Sequence, residues 1–197
     1  MKAMIYILTV NQYFSNHDLD KDMISVLILP TKLYKLDLTK LEILSADLGT
    51  LLLEKKLFFT SAESCTGGLL SQSIVSVPGS SAWFGCSFVT YSNIAKHKVL
   101  GVNKETLQSF GAVSEEVVGE MVIGAIKESK ANLGIAISGI AGPTGGSPER
   151  PVGTVCIGWK LNDNPEIKKT FSFEGDRSQV RHATVVKALE EAILLLK

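Results

Sequence analysis

The residues with the most chemical potential lie in TSAESCTGGLL, Thr60 to Leu70, where an apolar segment gives way to a helix. Two serines, a cysteine, a glutamate and a glycine pair crowd into eleven positions there. Gly67 and Gly68 follow a strand and open a helix, so bare backbone and free N–H groups could face an anion. The alternative is a tight turn in which glycine only relieves sterics, and an isolated TGG favours it. A second glycine-rich loop, Gly139 to Gly146, follows a buried strand in the same way. Two such loops at one sheet edge point to a phosphorylated small molecule.

A second cluster is GSSAWFGCSFVTYSNIAK, Gly79 to Lys96. Lys96 falls in the first turn of a helix capped by Ser92, where the positive end of the dipole opposes an ammonium. A desolvated lysine in that place becomes a neutral base more easily. Tyr91 ends the preceding strand and could bring a phenol to the same mouth. Ser80 and Ser81, in a loop between helix and strand, are candidate nucleophiles for a lysine-activated serine. The alternative is a solvated Lys96 beside two turn-forming serines, and spacing alone leaves it ahead. Cys65 has no histidine placed to activate it and reads as a packing residue. Glu63 could orient a substrate amide or hydroxyl, although a carboxylate at a helix start needs no such role.

These groups need a scaffold. At 197 residues the chain suits one α/β domain that buries roughly 70% of its unfolded surface. Twenty basic residues balance twenty acidic ones without a block of either sign, which disfavours a nucleic-acid partner. Three scattered cysteines without metal-ligand spacing fit a reducing cytoplasm and no structural zinc. MKAMIYILTV lacks a small-residue cleavage site, and no apolar run reaches membrane-spanning length, so a soluble protein without membrane contact is expected.

Ile5 to Val10 and Met23 to Leu29 read as short strands. Thr39 with Glu42 forms a capping box for a helix carrying Leu41, Leu44, Leu48 and Leu51 to about Lys56. Then come a strand at Leu57 to Ser61, a helix from Gly67 to Val77, a strand at Ser87 to Tyr91, and the Ser92-capped helix to about Gly101. Ser114 caps the next helix, with an apolar stripe of Val118, Met121, Val122 and Ala125. Leu133 to Ile140 is apolar enough for a strand covered on both faces. Strands at Thr154 to Leu161 and Glu166 to Phe173 follow, and Asp176 with Gln179 caps a last helix to Lys197. The alternation predicts a layered α/β sandwich with a mixed sheet, whose ligands sit at the strands' carboxyl ends.

AESCTGG, GSSAWF, VTYSNIAK, GAVSEEV, SGIAGPTGG, PVGTV and GDR occur in this order between Ala62 and Arg177. Together they resemble the C-terminal domain of the competence-damage-inducible CinA proteins, a module that also occurs alone as a nicotinamide mononucleotide deamidase. The resemblance covers about residues 38–197 and implies an α/β/α sandwich of that type; residues 1–37 are an extension of unknown role. It implies an amidohydrolase that converts nicotinamide mononucleotide to nicotinic acid mononucleotide and ammonia, with no cofactor and no metal. Carried over, the catalytic group falls on Ser64, Ser81, Tyr91 and Lys96. Ser81 is the preferred nucleophile, Lys96 and Tyr91 handle its proton, and Ser64 orients them or, in second place, attacks. The implied substrate contacts are Glu63, Thr66, Gly67, Gly68, Ser138, Gly139, Gly142, Gly145 and Gly146. Expected partners are a small nucleotide and further copies of the chain in a homo-oligomer. A catalytically silent nucleotide-binding module and an amidase for another carboxamide are the competing readings.

Overall fold

The computed structural model describes residues 31–197, with side chains from Lys40 onward. The two strands expected before Pro30 lie outside the described residues. The first helix, α1, spans Thr31–Lys55 and so runs through Thr39, which is not its cap. No glycine or proline separates Thr31 from Thr39, so nothing in the chain stops the helix from extending upstream.

The remaining elements belong to a compact unit, residues 37–197. They are β1 (Phe59–Glu63), α2 (Leu69–Val75), a 3₁₀ turn (Ser80–Ala82), β2 (Phe84–Val89), α3 (Asn93–Leu100), α4 (Lys104–Phe110), α5 (Glu115–Ser129), β3 (Leu133–Gly139), β4 (Thr154–Leu161), β5 (Ile167–Ser172) and α6 (Arg177–Leu196). The short helix α4 has no counterpart in the expected elements. The caps expected at Ser92, Ser114 and Asp176 all form: Ser92 Oγ accepts from Ala95, Ser114 Oγ from Val117, and Asp176 with Gln179 closes a full capping box.

The sheet is mixed, in the order β2-β1-β3-β4-β5. β1 runs parallel to both β2 and β3, whereas β4 is antiparallel to β3 and β5. Glu63 pairs with Val89 on one side and Ile137 on the other, so the carboxyl ends of β1, β2 and β3 share one edge.

Alternation along the strands gives the sheet two unlike faces. Leu133, Ile135 and Ile137 of β3, with Ile157 and Trp159 of β4, turn bulky side chains toward Leu48 and Leu52 of α1, Ile74 of α2 and Leu189 of α6. The other face carries Ala62, Ala136 and Cys156 against Val118, Met121 and Val122 of α5. Small residues there let α5 approach closely: a Cβ on Gly134 would lie 2.9 Å from Val122 and Ile126, and one on Gly158 2.9 Å from the Val118 carbonyl. Each fully buried aliphatic side chain in these layers contributes about 1.5–3 kcal/mol. Trp83, at the end of GSSAWF, is also core: it packs against α1, where a Cβ on Gly49 would lie 2.6 Å from its ring. Among the described residues no helix is long and apolar enough to cross a membrane.

Candidate active site

The shared carboxyl edge brings together residues far apart in the chain. Ser64 leaves β1 one position past its end, and its N–H still bonds the Ile137 carbonyl of β3 at 3.0 Å. β2 ends before Thr90 and Tyr91, and α3 then carries Lys96 back over the edge. The Lys96 ammonium donates to Ser64 Oγ at 2.9 Å and to the Thr90 carbonyl at 2.9 Å. Lys96 is 1% exposed and Ser64 8% exposed. Burial lowers the Lys96 pKa from 10.5 to about 8, against a small opposing effect of the Cys65 thiol. A lysine so placed is neutral in a useful fraction of molecules near neutral pH, and its lone pair can then accept the Ser64 proton. The reading of Lys96 as a solvated surface charge is overturned.

Ser64, Lys96, Tyr91, Ser138 and Arg177 line one cleft of about 260 Å³, together with the start of the Gly139 to Gly146 loop. Tyr91 is 64% exposed. Its hydroxyl accepts from Arg177 Nη2 at 3.3 Å, while Arg177 Nη1 donates to the Gly142 carbonyl at 3.0 Å. Tyr91 thus belongs to the rim, its hydroxyl bonded to Arg177. Ser138 is buried and donates to the Ala112 carbonyl at 2.6 Å, fixing the wall of the cleft. Gly139, Gly142 and Gly145 line the cleft; Gly142 and Gly145 have φ of 80° and 92°, which favour glycine. Gly146 lies outside it, packed so that a Cβ would meet the Val152 amide at 2.8 Å.

Several of the expected residues lie outside this cleft. Ser81 sits in the 3₁₀ turn before β2, and β2 starts where Phe84 pairs with Phe59 at the opposite end of β1. Five residue steps of strand, about 17 Å, separate that end from the Lys96 edge, so the chain's own Ser81 does not reach Lys96. Glu63 faces away from the cleft: its carboxylate accepts from the N–H groups of Gly68, Leu70 and Ser71 and from Ser71 Oγ. The carboxylate takes the Gly68, Leu70 and Ser71 N–H groups at this helix start and the Gly67 N–H goes to the Ser64 carbonyl, so the two glycines, with φ of 59° and 92°, serve the turn. Thr66 is buried outside the cleft, and its carbonyl accepts from Arg181 Nε at 3.1 Å and Nη2 at 2.6 Å. Its Oγ1 is buried without a hydrogen-bond partner among the described residues.

Cys65 is buried, and burial pushes its thiol up to about 11, so it stays protonated and inert, as a packing residue should. The residue that the sequence reading passed over is Arg177. A signal was available: an arginine at the first position of α6 opposes the helix dipole, and a cation in that place calls for a reason.

The chain can be set beside known proteins. The model of the CinA C-terminal domain matches residues 41–196. The nicotinamide-nucleotide amidohydrolase PncC of Enterobacter agglomerans is 47% identical over 154 residues, covering 78% of this chain and 94% of that protein. PncC of Escherichia coli K12 is 48% identical over 147 residues, or 75% and 89% of the two chains. The crystal structure of the competence/damage inducible protein CihA from Agrobacterium tumefaciens superposes with a TM-score of 0.78 at 41% identity, covering 80% of this chain and 96% of that one. With the family's span, its sheet and its motifs all present, the chain belongs to the CinA C-terminal domain family.

Proposed function

We propose that the protein is a nicotinamide-nucleotide amidohydrolase that releases ammonia from nicotinamide mononucleotide, with Ser64 as nucleophile and Lys96 as its base. The observation that carries this reading is the buried Lys96 amine 2.9 Å from Ser64 Oγ. Its similarity to two PncC amidohydrolases supports the choice of substrate.

Neutral Lys96 takes the Ser64 proton as Oγ attacks the carboxamide carbon. The ammonium so formed lies beside the tetrahedral oxyanion. It then returns a proton to the departing nitrogen, and the C–N bond breaks to give ammonia and an acyl ester on Ser64. Water attacks the ester, Lys96 accepts the water proton, and Ser64 leaves reprotonated as the carboxylate is freed. The Thr90 carbonyl holds the amine in place in both protonation states.

Arg177 is the proposed phosphate contact. Two of its five N–H donors bond Tyr91 and Gly142, which leaves others on the cleft rim for an anion. The exposed apolar side chains of Val89, Tyr91 and Ile94, close together in the chain, favour self-association. Three free cysteines fit a cytoplasmic setting.

The test is ammonia release from nicotinamide mononucleotide, from its riboside and from a small panel of other carboxamides. The reading requires turnover of the mononucleotide to exceed that of the others. No turnover by wild-type protein favours a silent binding module, and equal turnover of riboside and mononucleotide removes the phosphate contact.

A further inference from the structure

The carboxylate that closes β1 has no part in the mechanism above, yet it is bonded more completely than any other polar side chain at the site. Glu63 is fully buried, and its partners are four hydrogen-bond donors with no cation among the described residues. Four donors match the lone-pair capacity of an ionised carboxylate. The bond to Gly68 closes a ring of backbone around Ser64, Cys65, Thr66 and Gly67, inside which the Gly67 N–H also returns to the Ser64 carbonyl at 3.0 Å.

The peptide joining Glu63 to Ser64 is tied on both sides. Its carbonyl accepts from the Thr90 N–H at 2.8 Å and its N–H donates to Ile137 at 3.0 Å. The carbonyl of the same Thr90 holds Lys96. Nucleophile and base are therefore referenced to one rung of the sheet. Strand alternation puts the Glu63 and Ser64 side chains on opposite faces, so the carboxylate anchors from below the residue that acts above.

Behind Glu63 stands a line of hydroxyls. Ser71 Oγ donates to Glu63, Ser87 Oγ lies 2.6 Å from Ser71 Oγ, and Ser61 Oγ lies 2.6 Å from Ser87 Oγ. With the Ser71 proton spent on the carboxylate, Ser87 is the donor to Ser71; Ser87 Oγ also lies 3.2 Å from the Ser61 carbonyl and Ser61 Oγ 3.5 Å from Ser71 Oγ, so the three hydroxyls form a mutual cluster. Such a hydroxyl cluster, with Ser71 donating to the carboxylate, ties β2 and α2 into the same anchor.

We propose that Glu63, backed by Ser71 and Ser87, is a positioning residue that aims Ser64 at Lys96, a role that rests on the serine–lysine reading above. Because Glu63 does not line the cleft, its loss should lower kcat and leave KM alone. Glu63→Gln puts an amide N–H₂ against donors. A nucleophile displaced by about 1 Å loses on the order of 10²-fold in kcat, and Ser71→Ala, which removes one donor of four, should lose about tenfold. KM for nicotinamide mononucleotide should stay within about twofold, and Ser71→Thr, which restores the hydroxyl, should recover most of the rate.

The experiment measures kcat and KM for wild type, Ser64→Ala, Glu63→Gln, Ser71→Ala and Ser71→Thr, with folding checked by circular dichroism. Should Glu63→Gln fail to fold, the Ser71 pair decides. Wild-type kcat in Ser71→Ala, no recovery in Ser71→Thr, or a KM that rises while kcat holds overturns the positioning role. Full activity in Ser64→Ala instead overturns the dyad beneath it, so the two failures are separable.

Discussion

Changing the protonation of Lys96 tests the chemistry most directly. With a pKa of about 8 in the fold, the neutral fraction is about 1% at pH 6, about 9% at pH 7, about half at pH 8 and about 90% at pH 9. The kcat of the wild-type enzyme should therefore climb nearly tenfold per pH unit below pH 7 and level off above pH 9. A lysine at the ordinary 10.5 would keep the rate rising well past that point. Lys96→Arg keeps the charge but cannot deprotonate, so it should lose roughly 10²- to 10⁴-fold or more, as badly as Lys96→Ala. Stability carries the same signature. Between about pH 8 and 10.5 the unfolded chain holds a proton on this lysine that the native protein has released, so stability rises with pH across that window. The full gain is about 3 kcal/mol, at 1.36 kcal/mol for each pH unit separating the two values. Urea melts of wild type and Lys96→Met over pH 7 to 11 isolate it, because only wild type shows this contribution. A flat rate profile between pH 6 and 9, or a Lys96→Arg variant with most of its activity, would refute the base assignment.

The two serines separate cleanly: Ser64→Ala should abolish ammonia release, whereas Ser81→Ala should keep kcat within about twofold, since its hydroxyl lies a strand's length from Lys96. Adding Lys96→Arg to Ser64→Ala should cost little more than either change alone, as for residues that act as a unit. Arg177→Ala should raise KM for the mononucleotide more than for the riboside; equal effects on both would make Arg177 a structural strut between Tyr91 and Gly142. Deleting residues 1–30 should preserve turnover, because the family match begins at Leu41; a folded but inactive truncation would give that segment a part in the site.

Much of the layered architecture was legible because it rests on local signals. Ser92, Ser114 and Asp176 each precede a helical pattern by one residue, and all three cap as their side-chain chemistry dictates. The almost wholly apolar run of β3 announced a strand buried on both faces, and the burial of Leu133 to Ser138 matches it. Thr39 failed as a cap for a related reason. A capping box competes with continued helix, and the eight residues upstream of it contain no breaker. The site was harder to read. Gly67 and Gly68 carry the pattern of an anion cradle, but pattern does not reveal that a carboxylate five residues earlier folds back to fill it.

The sequence by itself determined the order of motifs, and with it the family, and it placed Lys96 in a first helical turn where an ammonium is disfavoured. Its residues offered Ser80 and Ser81 for that lysine, and the family resemblance added Ser64, with Ser81 the preferred nucleophile. Only the tertiary structure separates Ser64 from Ser81 in space, because each lies at a different end of a parallel strand pair. Ser64 leaves the carboxyl end of β1 beside Lys96, and Ser81 precedes the amino end of β2. Burial made the same difference to the lysine. Its charge is costly because the fold buries it, a property of packed neighbours that no stretch of sequence contains.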